Sequence, residues 1–136
     1  MNDNTVSKNR GVMQYSKSIE DYLEAIYVIG EEKGNVRIKD IAELLNVKLP
    51  SVTEIVKKMQ EEGLLEHTPY GEIHLTEKGK SIGEKVWQKH KILYIFLKDY
   101  LGISDDVAFK EACLIEHSVS SDTIEKLKQF LENIKK

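Results

Sequence analysis

The chain has 136 residues, 40% hydrophobic and 32% charged; this allows one or two small domains and excludes a large multi-lobed enzyme, since one core usually takes about 100–200 residues. No apolar run reaches the roughly 18–20 residues of a membrane helix, and residues 1–15 lack the apolar stretch of a secretory signal. The single cysteine, Cys113, excludes an intramolecular disulfide, so we expect a cytoplasmic protein. The 20 Lys and Arg against 23 Asp and Glu give a net charge of −3, which excludes a non-specific DNA coat and requires that any DNA binding come from local charge placement or from something that cancels acidic charge.

The N-terminal third predicts two helices. Residues 1–15 are polar and poorly periodic, which predicts a flexible arm. Apolar residues at helical spacing predict a first helix over residues 18–32, with Ser18 as its N-cap. Residues 36–38 are too few for more than a β-bridge, and a short helix follows over residues 39–45.

A further helix and a hairpin are predicted next. The helix runs from residue 49 to residue 62, because Pro50 suits a first turn and Ser51 can satisfy a free amide there. Its apolar stripe contains Val52, Ile55, Val56 and Met59. Two short alternating runs, at residues 64–67 and 73–76, flank a turn containing Pro and Gly, which predicts a β-hairpin.

The remaining residues predict helices alone. Thr76 is expected to cap a long helix over about residues 77–99. Two more helices are predicted, over residues 105–117 and from residue 120 or 121 to 134. The predicted fold class is therefore mainly α: a winged helix-turn-helix DNA-binding domain with a small hairpin wing, followed by an all-helical dimerisation domain.

The element order carries the DNA-binding prediction. In a winged helix-turn-helix the second helix of the pair enters the major groove and the wing touches the DNA backbone. The face of that helix opposite the apolar stripe presents hydroxyl, carboxylate and amine groups, which can contact phosphates or base edges. The alternative is an ordinary solvated helix face. The prediction also includes basic residues near the helix pair and a tyrosine in the hairpin turn. The predicted DNA-contacting residues are Arg37, Lys48, Ser51, Thr53, Glu54, Lys57, Lys58 and Tyr70.

Metal-ligating residue types occur in helical register. Two acids of the first helix are three positions apart, and a cysteine, a glutamate and a histidine of a later helix stand at i, i+3 and i+4, so each group shares one helix face. If these residues meet, they can bind a divalent first-row ion: carboxylate and imidazole suit Mn²⁺ and Fe²⁺, while thiolate favours softer metals. The alternative is a set of solvated or packed side chains. The predicted ligands are Asp21, Glu24, His90, Cys113, Glu116 and His117.

These features resemble the metal-dependent repressors of the diphtheria toxin repressor and manganese transport regulator family, in the short two-domain form without an SH3-like domain. The resemblance covers residues 18–134 and rests on SIEDYLEAIYVIGEEKGNVRIKDIAELLNV, LPSVTEIVKKMQEEGLL, LTEKGK, KHKILYIFL and EACLIEHSVSSDTIEKL. After the arm at residues 1–15, it implies a winged helix-turn-helix domain over residues 16–78. A helical metal-binding and dimerisation domain over residues 79–136 follows, with metal bound where the two domains meet.

The resemblance also implies a mixed metal site. Five ligands match the manganese-type pattern, whereas Cys113 stands where the manganese regulator of similar length has glutamate and the iron-responsive branch has cysteine. Tyr94 and Phe109 stand where the iron-type ancillary site requires Glu and His. We therefore expect Mn²⁺ or Fe²⁺, with one or two ions per subunit. On the recognition helix, Glu54 stands where Gln or Lys is more usual.

The expected function is metal-activated repression of metal-uptake genes by a homodimer on a palindromic operator, with no enzymatic activity. Metal would cancel carboxylate repulsion and tie the first helix to the dimerisation domain, which fixes the separation of two reading helices at roughly 34–36 Å. One alternative is a winged-helix regulator that responds to a small organic ligand, or binds DNA constitutively, with a structural polar cluster. Others are a metalloenzyme, or a helical part that only mediates assembly.

Overall fold

The structure is a computed structural model that describes residues 15–135. It confirms the mainly α fold with one antiparallel hairpin. None of the helices between residues 15 and 135 combines the length and apolar character needed to cross a bilayer. The elements are α1 (Lys17–Lys33), α2 (Ile38–Leu45), α3 (Leu49–Glu61), β1 (Leu65–His67), β2 (Ile73–Leu75), α4 (Glu77–Ile95), a π-helical segment (Phe96–Tyr100), α5 (Asp105–Ile115) and α6 (Ser121–Lys135).

The first helix begins two residues before the predicted cap. Ser16 has extended backbone and its Oγ accepts a hydrogen bond from the Ile19 N–H at 3.2 Å. Ser18 lies inside the helix, so its predicted capping role is wrong; both serines suit a cap by residue type, and only Ser16 precedes the free amides of the first turn. Tyr15, which the sequence placed in the arm, packs against the core. The rest of the predicted arm lies outside the described residues.

The helix pair α2–α3 turns through Asn46, whose left-handed φ of 56° ends α2. Pro50 lies in the first turn of α3, as predicted. Ser51 does not cap this helix, because the N-cap position is Lys48 and the Ser51 amide itself donates to the Lys48 carbonyl at 3.0 Å. Proline therefore starts the helix without a side-chain cap.

The hairpin follows the prediction. β1 pairs with β2 in the register Leu65–Leu75, and Val36 adds the predicted isolated bridge, to Ile73. The Thr76 Oγ1 caps α4 by accepting from the Gly79 N–H at 3.2 Å. The hairpin is therefore fixed both to the chain before α2 and to the start of the long helix.

The close crossing of α1 and α4 positions the junction between the two parts of the chain. A Cβ at Gly83 would lie 2.6 Å from the Leu23 carbonyl oxygen, so this crossing needs glycine on α4. Regular helix ends at Ile95, earlier than predicted, and the next residues form a π-helical segment in which the Leu101 N–H donates to the Phe96 carbonyl at 3.1 Å. Helical periodicity does not distinguish such a segment from the α-helix before it.

The buried apolar residues form two clusters. One joins α1, α2, α3 and the hairpin around Leu23, Ile41 and Met59, which are fully buried. The other joins α4, α5 and α6 and contains Leu93, Leu97, Ala108, Ala112 and Ile124. Between these clusters, the carboxylate face of α1 approaches the C-terminal end of α5.

Candidate metal site and DNA-reading surface

The six predicted ligands meet at the junction of α1, α4 and the C-terminal end of α5. We call them the polar cluster: Asp21, Glu24, His90, Cys113, Glu116 and His117. They form two overlapping groups, one from α1 with the end of α5 and one from α4 with α5. Within each group, one potential ligand atom per residue lies within 4.8 Å of all the others. Glu116 belongs to both groups and is 1% exposed.

Direct contacts connect the polar cluster across the junction. The His117 Nε2 lies 2.7 Å from the Asp21 Oδ1 and 3.4 Å from the Glu116 Oε2. The His90 Nδ1 lies 2.9 Å from the Glu116 Oε1 and 3.7 Å from the Cys113 Sγ. Glu116 therefore stands between the two histidines, and the first helix is already joined to the C-terminal part of the chain.

Sequence reasoning missed Glu20, whose Oε1 lies 2.8 Å from the Nδ1 of His117. This carboxylate orients the imidazole so that its other nitrogen faces the polar cluster. A signal was present in the sequence, because Glu20 precedes Glu24 by four positions and so shares its helix face.

Burial raises the pKa values of three acidic groups of the polar cluster: Glu24, Glu116 and Cys113. Burial raises the pKa of Glu24 to about 9, and the adjacent Glu116, hydrogen-bonded to it, acts in the same direction. Burial likewise raises the pKa of Glu116 to about 7. The Cys113 thiol has a pKa of about 12, because of burial and the nearby carboxylates. These groups hold protons that a cation can replace.

The histidines differ in charge. Burial alone would lower the pKa of His117, but hydrogen bonds to Asp21 and Glu20 outweigh it and raise this pKa to about 9. Burial lowers the pKa of His90, so that ring is neutral. Burial opposes ionisation of Asp21, but hydrogen bonds from His117 and Lys17 lower its pKa overall. Without metal, an imidazolium thus provides part of the positive charge that the carboxylates require.

The donor set fits a divalent transition ion. It offers carboxylate oxygens, imidazole nitrogens and one sulfur, and burial raises the pKa values of two of its carboxyl groups, Glu24 and Glu116. A cavity of about 340 Å³ borders the polar cluster, lined also by Lys17, Val28, Leu45, Trp87 and Phe109. This cavity gives an ion a route from solvent to the donors.

The predicted DNA-contacting residues lie on the surface of the helix pair and the wing. Five of them form the exposed side of α3, Lys48 is exposed at its N-cap, and Tyr70 is 86% exposed in the hairpin turn. Arg37 also has a local role, since its Nη1 donates to the Tyr70 carbonyl at 2.7 Å and so holds the wing against α2. The five on α3 are Ser51, Thr53, Glu54, Lys57 and Lys58.

The structure adds one detail to this surface and one residue that the sequence analysis did not single out. The Thr53 hydroxyl donates to the Leu49 carbonyl at 3.0 Å, so its hydrogen is not free for a phosphate. Leu49 is 52% exposed in the first turn of α3. An apolar side chain there can contact a thymine methyl group.

Comparison with known proteins identifies the family. Residues 14–73 match the iron dependent repressor, N-terminal DNA binding domain, and residues 76–136 match the iron dependent repressor, metal binding and dimerisation domain. An HTH-type transcriptional regulator of Methanocaldococcus jannaschii is 43% identical over 121 residues, which are 88% of this chain and 97% of the relative. The HTH-type transcriptional regulator MntR of Shouchella clausii is 39% identical over 115 residues, which are 85% of this chain and 80% of the relative.

A solved structure agrees with these relatives. The manganese regulator SloR superposes with a TM-score of 0.74 and 35% identity over 84% of this chain and 53% of that one. This chain therefore spans about half the length of that solved structure. Two family matches that together span almost all of residues 14–136 confirm the resemblance, and the chain belongs to the iron-dependent repressor family, as a metal-dependent DNA-binding transcriptional repressor and not an enzyme.

Proposed function

We propose that this chain senses Mn²⁺ or Fe²⁺ through the polar cluster and, when metal is bound, represses metal-uptake genes in the cytoplasm by binding a palindromic operator as a homodimer. The carrying observation is the 2.7 Å contact between the Asp21 Oδ1 and the His117 Nε2, which joins residues 96 positions apart in the chain. Similarity to the manganese regulator SloR supports this choice of metals.

The residues of α1 couple the site to the DNA-reading helix. Asp21 and Glu24 lie on the side of α1 that faces α5, whereas Leu23 and Ile26 pack into the core shared with α2 and α3. A bound divalent cation supplies the positive charge that lets these carboxylates lie close to Glu116 without protons. The orientation of α3 is then fixed relative to the dimerisation domain, because α1 moves with α3 through their common core.

The overlap of the two ligand groups supports two ions per subunit that share Glu116. One group is rich in oxygen donors, from Asp21, Glu24 and Glu116, and oxygen suits Mn²⁺. The other includes the Cys113 sulfur, which favours softer ions. Because Zn²⁺ and Cu²⁺ bind most such sites more tightly, the metal available in the cell decides which ion acts.

Metal dependence explains how a chain with a net negative charge can bind DNA. The chain carries a net charge of −3, and Lys57 and Lys58 on α3 are exposed. Holding two recognition helices roughly 34–36 Å apart lets both half-sites bind without a further ordering cost. Metal therefore raises DNA affinity through a conformation that both sites share.

A titration tests the proposal. Fluorescence anisotropy is measured on a duplex selected from random sequence, with Mn²⁺, with Fe²⁺ under anaerobic conditions, and without metal. We expect metal to tighten binding by more than about tenfold, and His117→Ala to abolish this response while the dimer persists. Asp122→Asn, which removes an exposed carboxylate of α6, is the matched control and should respond like the wild type. Equal wild-type affinity with and without metal would contradict the proposal.

A further inference from the structure

The two histidines of the polar cluster are held in different ways. One nitrogen of His117 contacts the Glu20 carboxylate and the other faces the polar cluster. Within residues 15–135, the polar contacts of His90 all involve its Nδ1, which lies 2.9 Å from the Glu116 Oε1 and 3.7 Å from the Cys113 Sγ. A metal-ligating histidine normally donates its second N–H to a carboxylate or carbonyl, which fixes the ring. Another feature must therefore orient His90.

Three aromatic rings surround His90, which is 3% exposed. Trp87 stacks on it with centroids 5.3 Å apart and planes 8° apart, and Tyr94 lies parallel to it at 6.2 Å and 7°. Phe109 of α5 meets the imidazole edge-on at 4.7 Å. Trp87 and Tyr94 stand three residues before and four after His90, so all three share one face of α4. The two parallel rings fix the plane of the imidazole.

The aromatic rings are themselves held in place. The Tyr94 hydroxyl donates to the Asp105 carboxylate at the start of α5, and the Tyr94 ring packs edge-on against Phe109. The ammonium groups of Lys91 and Lys98 lie over the Trp87 and Tyr94 rings at 5.8 and 5.7 Å from the centroids. Contacts of this kind stabilise a defined ring geometry.

We propose that Trp87, Tyr94 and Phe109 form an aromatic layer that positions the His90 imidazole for metal binding, in place of the hydrogen-bonded partner that His117 has in Glu20. The inference rests on the proposed metal site and assigns positioning roles to three residues outside the ligand set. Trp87 is the central member, because of the two rings parallel to His90 it is the nearer, at 5.3 Å against 6.2 Å for Tyr94. The layer pre-organises the subsite of His90 and Cys113.

Cobalt(II) added to the metal-free protein is the probe. A cysteine thiolate bound to Co²⁺ gives a charge-transfer absorption, which reports on the subsite of Cys113 and His90, while calorimetry measures total Co²⁺ binding. We expect Trp87→Ala to weaken binding at the sulfur-containing subsite by about 10–100-fold, the range for losing an orienting partner. Trp87→Phe keeps a stacking ring and should stay within about threefold of the wild type. Phe130→Ala, at an exposed aromatic of α6, is the matched control.

Each outcome has one meaning. If the wild type binds no Co²⁺, the proposed metal site fails. If the wild type binds Co²⁺ and Trp87→Ala titrates identically, or Trp87→Ala and Trp87→Phe lose affinity equally, the aromatic layer is wrong. Circular dichroism melting establishes that the variants fold; should Trp87→Ala not fold, Phe109→Leu is the second variant, and an unchanged charge-transfer titration there overturns the proposal too.

Discussion

Glu24 of α1 and Glu116 at the end of α5 bring two carboxyl groups into hydrogen-bonding contact across the junction between the DNA-binding and dimerisation parts of the chain. Burial and this contact raise the pKa of Glu24 to about 9, so at neutral pH it holds a proton. Without metal, a proton on Glu24 allows the two carboxyl groups to lie in contact across the junction. A bound cation can replace this proton and hold the same two groups together.

This pair predicts opposite effects of one substitution with and without metal. Glu24→Gln replaces a protonated carboxyl group by an amide that can still donate to Glu116, and it removes the possibility of a buried charge. We expect the metal-free variant to melt at the same temperature as the wild type or a few degrees higher, and Mn²⁺ to stabilise it much less. Differential scanning calorimetry checks both. A variant that is strongly destabilised without metal and still stabilised normally by Mn²⁺ would refute the role given to Glu24.

The pKa shifts also predict how stability depends on pH. His117 and Glu24 both have pKa values of about 9 in the folded chain, above their ordinary values of 6.5 and 4.5. Between pH 6.5 and 9 the folded chain therefore binds more protons than the unfolded chain, and its stability falls as pH rises. Bound metal reverses this, because it binds the deprotonated ligands. Melting temperatures across this window should fall without metal, and the gain from Mn²⁺ should widen. A metal-free melting temperature that rises with pH would show the sign to be wrong.

Cys113 should affect metal preference more than fold, because its side chain is half-buried and its thiol faces His90. Cys113→Glu replaces sulfur by oxygen and should lower affinity for Zn²⁺ and Co²⁺ relative to Mn²⁺ by about tenfold or more. Competitive titration with a chelating dye measures this ratio. Cys113→Ala is the comparison, since it removes the sulfur without adding an oxygen. An unchanged ratio in Cys113→Glu would mean that the sulfur is not a ligand.

Glu20 should matter to metal binding although it lies outside the predicted ligand set. Glu20→Gln weakens the contact that orients His117, so the Mn²⁺ concentration required for DNA binding should rise by about 10–100-fold. The dimer should be unaffected, which light scattering can measure. Glu31→Gln, at an exposed acid of the same helix, controls for the loss of one negative charge. If both variants behave alike, Glu20 has no special role.

The lysines of α3 should contribute to DNA binding without affecting metal binding. Lys57→Ala and Lys58→Ala should each weaken DNA binding to a similar extent on all sequences. If the lysine contacts a phosphate, its loss should also reduce the slope of the logarithm of the DNA-binding constant against the logarithm of salt concentration by about one. Glu54→Gln should instead change the base preference, since a carboxylate accepts from cytosine whereas an amide suits adenine. Anisotropy at several salt concentrations and on a panel of duplexes separates these effects. A salt slope that neither lysine changes would place α3 away from the phosphates.

Most of the fold could be predicted from sequence because its elements carry local signals. Apolar spacing, the Pro50 start and the turn between the two alternating runs led to the correct element order. The errors concern choices that local patterns do not settle. Ser16 and Ser18 are equally suitable caps by residue type, and the structure shows extended backbone and the capping hydrogen bond at Ser16. The π-helical segment after Ile95 likewise has no sequence signature of its own.

The structure brings together the residues that the sequence analysis named as candidate ligands, but their arrangement could not be predicted. Helical register places Asp21 beside Glu24, and Cys113 beside Glu116 and His117. That the two groups converge depends on the close crossing at Gly83, which no local pattern predicts. The partners of the ligands were missed for a related reason: Glu20 and Trp87 act through the histidines they contact, and those contacts exist only once α1, α4 and α5 have packed.

The central claim is that a divalent ion joins α1 to the end of α5, and the most direct test is a crystal structure of the Mn²⁺-loaded protein with anomalous data collected at the manganese edge. We expect an anomalous peak within the polar cluster, bordered by Asp21 and Glu24 on one side and by Glu116 and His117 on the other. A peak elsewhere, or a fully loaded protein in which the α1 carboxylates do not contact the metal, would contradict the account.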